Sequence, residues 1–135
     1  MGSKVLIVDD EKLMRISLES QLKKEGYQVR SVDNAIEGLK RVKSEDYDVV
    51  VTDLRLSGMN GMELLKEIKK YNQEIIVVIM TAYGTLESAV SAIKDGAYDY
   101  IVKNESAFHR LEILFNNILG HVELKKNLGT QKFFN

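Results

Sequence analysis

Four short apolar runs in this chain of 135 residues each end on side chains able to do chemistry. Asp9 and Asp10 follow the run 4–8, Asp53 follows 47–52, Thr81 follows 75–80 and Lys103 follows 98–102. Three carboxylates brought to one rim repel strongly unless something neutralises them. A hard divalent cation does so. Mg²⁺ takes oxygen ligands, keeps several waters and often completes its shell with phosphate oxygen. A carboxylate held beside such an ion, a Thr hydroxyl and a Lys ammonium is equipped for phosphoryl transfer. Its oxygen attacks phosphorus to form an acyl phosphate. The cation and the ammonium offset charge on the equatorial oxygens. Singly, each residue has a plainer reading: a helix cap for Asp9 and Asp10, a β-branched strand end for Thr81, a solvated charge for Lys103. The chemistry lies in the set.

The set converges only if the elements carry it to one edge. Apolar runs alternate with amphipathic stretches. Strands are predicted over 4–8, 27–32, 47–52, 75–80 and 98–102. Helices are predicted over 11–25, 35–43, 61–71, 86–95 and 106 to about 126. Met14, Leu18 and Leu22 recur at helical spacing in the first helix, and Leu64, Leu65 and Ile68 share a face of the third. In the last helix, Phe108, Leu111, Phe115, Ile118 and Val122 form one stripe. Asn34 and Thr85 are candidate caps, Gly26 and Gly96 candidate stops, and 54–60 is a loop. Five strand–helix units whose strands are apolar on both faces build an α/β fold: a parallel sheet covered by helices, with right-handed crossovers. Such a doubly wound sheet holds its ligand site at the carboxyl ends of the strands, where the polar set lies.

Composition closes other routes. The chain has no Cys, which excludes disulfides, thiolate metal sites and Cys nucleophiles. Its two histidines, His109 and His121, stand at no ligand spacing and read as surface residues. Nineteen basic and twenty acidic residues give a net charge of -1, so there is no electrostatic reason to expect nucleic-acid contact. The longest apolar run, 75–80, is far too short for a bilayer, and no signal-peptide pattern opens the chain. A cytoplasmic location away from membranes is the expectation.

Four segments carry a resemblance: Val5-Leu6-Ile7-Val8-Asp9-Asp10-Glu11, Val49-Val50-Val51-Thr52-Asp53-Leu54-Arg55-Leu56, Val78-Ile79-Met80-Thr81-Ala82-Tyr83 and Gly96-Ala97-Tyr98-Asp99-Tyr100-Ile101-Val102-Lys103. Over about residues 4–121 the chain resembles the receiver domain of two-component response regulators. The run 80–103 is closest to receivers of the nitrogen-regulation type, which usually precede an ATPase domain.

The resemblance implies a flavodoxin-like, five-stranded sheet of order 2-1-3-4-5 with helices on both faces. It implies a receiver at 1–121 and a helical extension with a disordered tail at 122–135. Asp53 would be the phosphoacceptor, fed by a sensor histidine kinase. Asp10, Asp53 and the backbone carbonyl of Arg55 would ligate Mg²⁺, with Asp9 holding a metal-bound water. Thr81 and Lys103 would bind the phosphoryl group, and Tyr100 would be a switch aromatic that is buried in the active state. Arg55 and Tyr83 would tune dephosphorylation. Phosphorylation would reshape the face of the fourth helix, fifth strand and fifth helix to control an output domain or partner, in transcription regulation. A homodimer would form through that face or through the extended last helix, where Val122, Leu124 and Leu128 continue the apolar content and Gly120 is a weak point. The chain would be no enzyme beyond its own phosphorylation and slow autodephosphorylation.

The alternatives are a stand-alone receiver in a phosphorelay, a degenerate receiver that only binds, an Asp-nucleophile phosphohydrolase and a flavin-binding protein. The phosphohydrolase would need Asp-x-Asp after the first strand, where this chain has adjacent Asp9 and Asp10. The flavin protein would need a loop there that cradles phosphate, and Asp-Asp-Glu repels phosphate unless a metal intervenes. The intact set of five argues against the degenerate form. One departure from the family stands out. The chain has no proline, where average usage of about 5% gives roughly seven. Ser57 and Asn104 occupy positions where such receivers usually carry it, the second across a cis bond after the Lys. A non-proline cis bond costs about 2.5–4 kcal/mol, so Lys103–Asn104 is expected trans, with 104–107 re-routed to keep Lys103 aimed at Asp53.

Overall fold

A computed structural model describes residues 3–118. Within them the elements run β1 (Lys4–Val8), α1 (Lys12–Lys24), β2 (Gln28–Val32), α2 (Ala35–Ser44), β3 (Val49–Thr52), α3 (Gly61–Tyr71), β4 (Ile76–Thr81), α4 (Leu86–Lys94) and β5 (Asp99–Val102). A last helix, α5, is described over 107–118. The chain divides into two compact units, one ending at Lys103 and the other starting at Asn104. The expectations for Val122, Leu124, Leu128, Gly120, His121 and the segment 122–135 lie outside the described residues.

The five strands form one parallel sheet in the order β2-β1-β3-β4-β5, as expected. Leu6, Val8, Val50, Val77, Ile79 and Tyr100 point into one core with Ala35 and Val42 of α2, Leu64, Leu65 and Ile68 of α3 and Ala92 of α4. The alternate strand residues Val5, Ile7, Val49, Val51, Val78 and Met80 are buried as well, as are Leu18 and Leu22 of α1. Every residue of β3 and β4 is buried, which suits central parallel strands. Among the described residues no helix is long and apolar enough to cross a membrane.

Element edges differ from the sequence reading in a consistent way. β3 starts at Val49 and β4 at Ile76, although Tyr47 and Ile75 just before them are buried. Apolar content reports burial, whereas the strand begins where the hydrogen-bonded ladder does. The caps are where expected. Asn34 Oδ1 accepts the N–H of Glu37 at 2.8 Å, and Thr85 Oγ1 that of Ser88 at 3.0 Å. α1 and α4 stop just before Gly26 and Gly96, both in the left-handed conformation at φ +95° and +106°. The reading missed the capping box of α3, in which Asn60 accepts from Glu63 N–H and Glu63 reaches back. The α5 stripe needs correction. Ala107, Leu111, Leu114, Phe115 and Ile118 are buried, whereas Phe108 is 36% exposed. One residue is a turn of about 100° on a helix, so Ala107 and not Phe108 begins the face. His109 is exposed, as expected.

Candidate functional site

Parallel pairing brings the strand ends together. The N–H of Asp53 donates to the Val8 carbonyl at 2.9 Å, that of Asp9 to the Val32 carbonyl at 3.2 Å, and that of Lys103 to the Thr81 carbonyl at 2.8 Å. The ladder thus carries Asp9, Asp53, Thr81 and Lys103 to one rim of the sheet. Asp53 and Asp9 are buried, Thr81 fully so, and Asp10 is exposed.

Lys103 reaches across this rim. Its Nζ lies 2.7 Å from Asp53 Oδ2 and 2.8 Å from Asp9 Oδ2, and it reaches Glu11 Oε1 at 3.4 Å. The resemblance implies a pair of Lys103 with Asp53 or its phosphate. The ammonium in fact bridges two buried carboxylates, which three donors on one nitrogen allow. Asp53 Oδ1 accepts the N–H of Arg55 at 3.1 Å, and Asp9 Oδ1 that of Glu11 at 2.9 Å. The second of these bonds closes a turn ahead of α1 and is no helix cap: the N-cap of α1 is Glu11, which carries no side-chain cap, so the capping reading of Asp9 is corrected. Arg15, which the sequence reading passed over, donates from its guanidinium to the Asp9 carbonyl at 2.8 Å. The Lys103–Asn104 bond is trans. Beyond it, Asn104 Oδ1 accepts from the N–H of Ser106 at 3.1 Å and from its hydroxyl at 3.0 Å, a local turn that needs no proline.

Asp9, Asp10 and Asp53 each present a carboxylate oxygen, and these oxygens lie within 4.8 Å of one another. One ammonium cannot neutralise three carboxylates, and the donors are all hard oxygens. The arrangement fits a divalent cation of the Mg²⁺ kind.

The charges are strained in a definite direction. Burial raises Asp9 above its ordinary value, against the opposing hydrogen bonds from Lys103 and the Glu11 N–H. Burial alone would lower Lys103, but its bonds to Asp53 and Asp9 overcome that and hold it above its ordinary value. A carboxyl whose folded value is raised binds its proton more tightly in the folded state. The stability it contributes is full below the unfolded value of 3.8 and is lost as pH rises through the higher folded value. With divalent cations chelated, the stability of the natural chain relative to Asp9→Asn is therefore expected to fall as pH rises through that window. Paired urea titrations across acid to neutral pH measure it, and a difference that stays flat or rises contradicts it.

The remaining positions sit on the two loops above the rim. Thr81 Oγ1 accepts the N–H of Tyr83 at 3.2 Å. The Arg55 guanidinium stacks over the Tyr83 ring, 4.1 Å from its centre, and ties the loop after β3 to the loop after β4. Tyr100 is buried, and its hydroxyl meets Ser88 Oγ at 2.6 Å. Ser88 carries no role in the sequence pattern of the site, although its spacing from Thr85 is that of a capping pair. The close contacts at Gly61 and Gly84 leave no signal in a one-dimensional sequence.

Comparison with known proteins agrees with this geometry. The sequence profile described as the response regulator receiver domain matches residues 5–114. The transcriptional regulatory protein ZraR of Klebsiella oxytoca is 37% identical over 127 residues, covering 94% of this chain and 28% of that protein. The crystal structure of NtrX from Brucella abortus in complex with ADP superposes with a TM-score of 0.85 at 35% identity, over 96% of this chain and 30% of that one. A receiver domain protein from Clostridium thermocellum gives a TM-score of 0.83 at 32% identity, over 90% of this chain and 98% of that one. The chain spans 28% of the length of the first of these curated relatives.

Proposed function

Because this chain belongs to the response regulator receiver domain family, with the flavour of its nitrogen-regulation type, we propose that Asp53 is its phosphoacceptor. A carboxylate oxygen of Asp53 attacks the phosphorus of a phosphohistidine on a sensor kinase. The P–N bond breaks, the imidazole leaves, and an acyl phosphate remains on Asp53. The observation that carries this reading is the position of Asp53: buried, held from one side by Lys103 at 2.7 Å and from the other by the Arg55 N–H at 3.1 Å, beside Asp9 and Asp10. Asp10, Asp53 and the Arg55 carbonyl are the proposed Mg²⁺ ligands, with Asp9 holding a metal-bound water. Bound there, Mg²⁺ supplies charge neutralisation for the incoming phosphoryl oxygens.

Lys103 keeps its bond to Asp53 and gains the phosphoryl oxygens as partners. Thr81 Oγ1, now facing the Tyr83 N–H, turns its proton to the phosphoryl group. Arg55 and Tyr83, clasped over the rim, narrow the approach of the hydrolytic water and lengthen the phosphorylated lifetime. Tyr100 is the moving aromatic, and α4 with β5 is the output face. Leu86, Val90 and Ile93 on α4 and Val102 on β5 are exposed there, an apolar stripe suited to an output module or a second copy of the chain. The receiver unit in this reading is residues 1–121, a boundary outside the described residues.

Incubation of the chain with acetyl phosphate and Mg²⁺ tests the reading. One phosphoryl adduct is expected, labile to hydroxylamine as an acyl phosphate is, and absent when the cation is chelated. No adduct, or one stable to hydroxylamine, contradicts it.

A further inference from the structure

Tyr100 Oη, at 2.6 Å, is one of four polar neighbours of Ser88 Oγ. The others all belong to Thr85: its N–H at 3.1 Å, its carbonyl at 3.0 Å and its hydroxyl at 3.0 Å. A serine hydroxyl offers one proton and two lone pairs, so it serves three of these at once. The carbonyl accepts the Ser88 proton and the Thr85 N–H takes one lone pair. The other lone pair has two claimants, the Tyr100 phenol and the Thr85 hydroxyl. The phenol is the nearer and is therefore the donor.

Room for the phenol comes from Gly84. A Cβ built there would stand 2.9 Å from Val102 Cγ2 and 3.2 Å from both Cε1 and Oη of Tyr100. Contacts that short force the Val102 side chain and the ring to give by a few tenths of an ångström. The inward ring thus depends on two residues of the loop and first turn that follow Thr81, one providing the space and the other the acceptor.

We infer that Ser88 is a positioning residue of the switch, a latch that holds Tyr100 inward through its hydroxyl and so ties β5 to the N-terminal cap of α4. When the phenol leaves, the Thr85 hydroxyl, already at 3.0 Å, takes over the vacated lone pair, so Ser88 Oγ keeps its full set of partners in either state. That exchange keeps the two positions of Tyr100 close in free energy and makes the ring responsive to small shifts of the loop that carries Thr81. The inference rests on the receiver reading only in taking Tyr100 as the moving aromatic.

The test is NMR of the whole chain with ring-labelled tyrosine, Tyr100 being assigned by its loss in Tyr100→Phe, with and without beryllofluoride and Mg²⁺. Ser88→Ala is expected to shift the inward-to-outward ratio of Tyr100 about five-fold outward, the size of one hydrogen bond. Ser88→Thr, which keeps the hydroxyl, is expected to restore it. Gly84→Ala is expected to drive the ring outward with Ser88 intact. Tyr100→Phe leaves the cap whole; in a sample labelled on phenylalanine rings, the added ring, assigned by its absence from the natural chain, is expected to lie outward to the same extent as Tyr100 does in Ser88→Ala, which separates the latch from fraying of α4. A Tyr100 ring unmoved in Ser88→Ala, or a Ser88→Thr chain that behaves like Ser88→Ala, overturns the latch. Spectra without beryllofluoride decide this on their own. Fluorine NMR of the same samples reads whether beryllofluoride binds at Asp53; if it does not, the phosphorylation reading fails while the spectra without it still rule on the latch.

Discussion

Asp53→Asn is expected to abolish the phosphoryl adduct, cutting its rate of formation by at least about a hundredfold while the fold persists. The substitution is nearly isosteric. The amide oxygen still accepts the Arg55 N–H that Asp53 Oδ1 takes at 3.1 Å. The amide has lost the anionic oxygen that faces Lys103 at 2.7 Å and that would attack phosphorus. Lys103 keeps Asp9 at 2.8 Å, so its charge stays paired in the burial it already has. The Nδ2 that replaces Oδ2 faces the Lys103 ammonium donor to donor, whereas removing one of three crowded carboxylates relieves repulsion; the two offset, and the variant is expected to unfold within about 1 kcal/mol of the natural chain. Phosphate incorporation and urea denaturation on the same samples check both halves. A normal adduct in a folded Asp53→Asn chain moves the acceptor elsewhere and ends the present assignment.

Gly61→Ala is expected to cost about 3 kcal/mol or more, a large effect for one methyl group at a helix start. Two terms oppose each other. Alanine favours a helix interior over glycine by about 1 kcal/mol, and less than that at the first position. Against it stands the loop that carries Asp53, the proposed acceptor. The Gly61 N–H donates to the Leu54 carbonyl at 2.9 Å, which holds α3 tightly under Asp53. A Cβ at Gly61 would overlap the Asp53 carbonyl oxygen, far inside van der Waals contact, and would stand 2.9 Å from Leu54 Cα. Both obstacles are backbone, so no side-chain rotation removes them, and the clash outweighs the propensity. Relief moves the Asp53–Leu54 peptide, and a displaced acceptor should also take up phosphate at least tenfold more slowly, since misplacement of about 1 Å is that costly. Urea denaturation against the natural chain reads the first effect and acetyl phosphate kinetics the second. An alanine variant with unchanged stability would contradict the contact itself.

Much of the site was legible because each residue type stands at the end of an apolar run, and a parallel sheet delivers such ends to one edge. Val49-Val50-Val51 before Thr52-Asp53 marks a strand buried on both faces without any alignment. Asn34 and Thr85 announced their helices by side-chain chemistry alone, as Asn60 with Glu63 does to a reader who looks for the spacing. Phe108 and Tyr47 show where such reading stops. Helical phase is uncertain by one residue where two apolar residues adjoin, as Ala107 and Phe108 do, and burial alone does not say where a ladder begins.

Sequence by itself determined the fold class, the family and the five polar residues of the rim, because period and type are local properties of a chain. Tertiary structure alone decided how these share charge and space. Lys103 bridges Asp9 and Asp53, partners 94 and 50 residues away. Arg55 meets Tyr83 between two loops, Ser88 meets Tyr100, Gly61 leaves room for the backbone of Asp53 and Leu54, and Gly84 for the side chains of Tyr100 and Val102. The reason is physical. Pairing and steric exclusion act over a few ångströms in space, and only the folded sheet sets which residues come within that range.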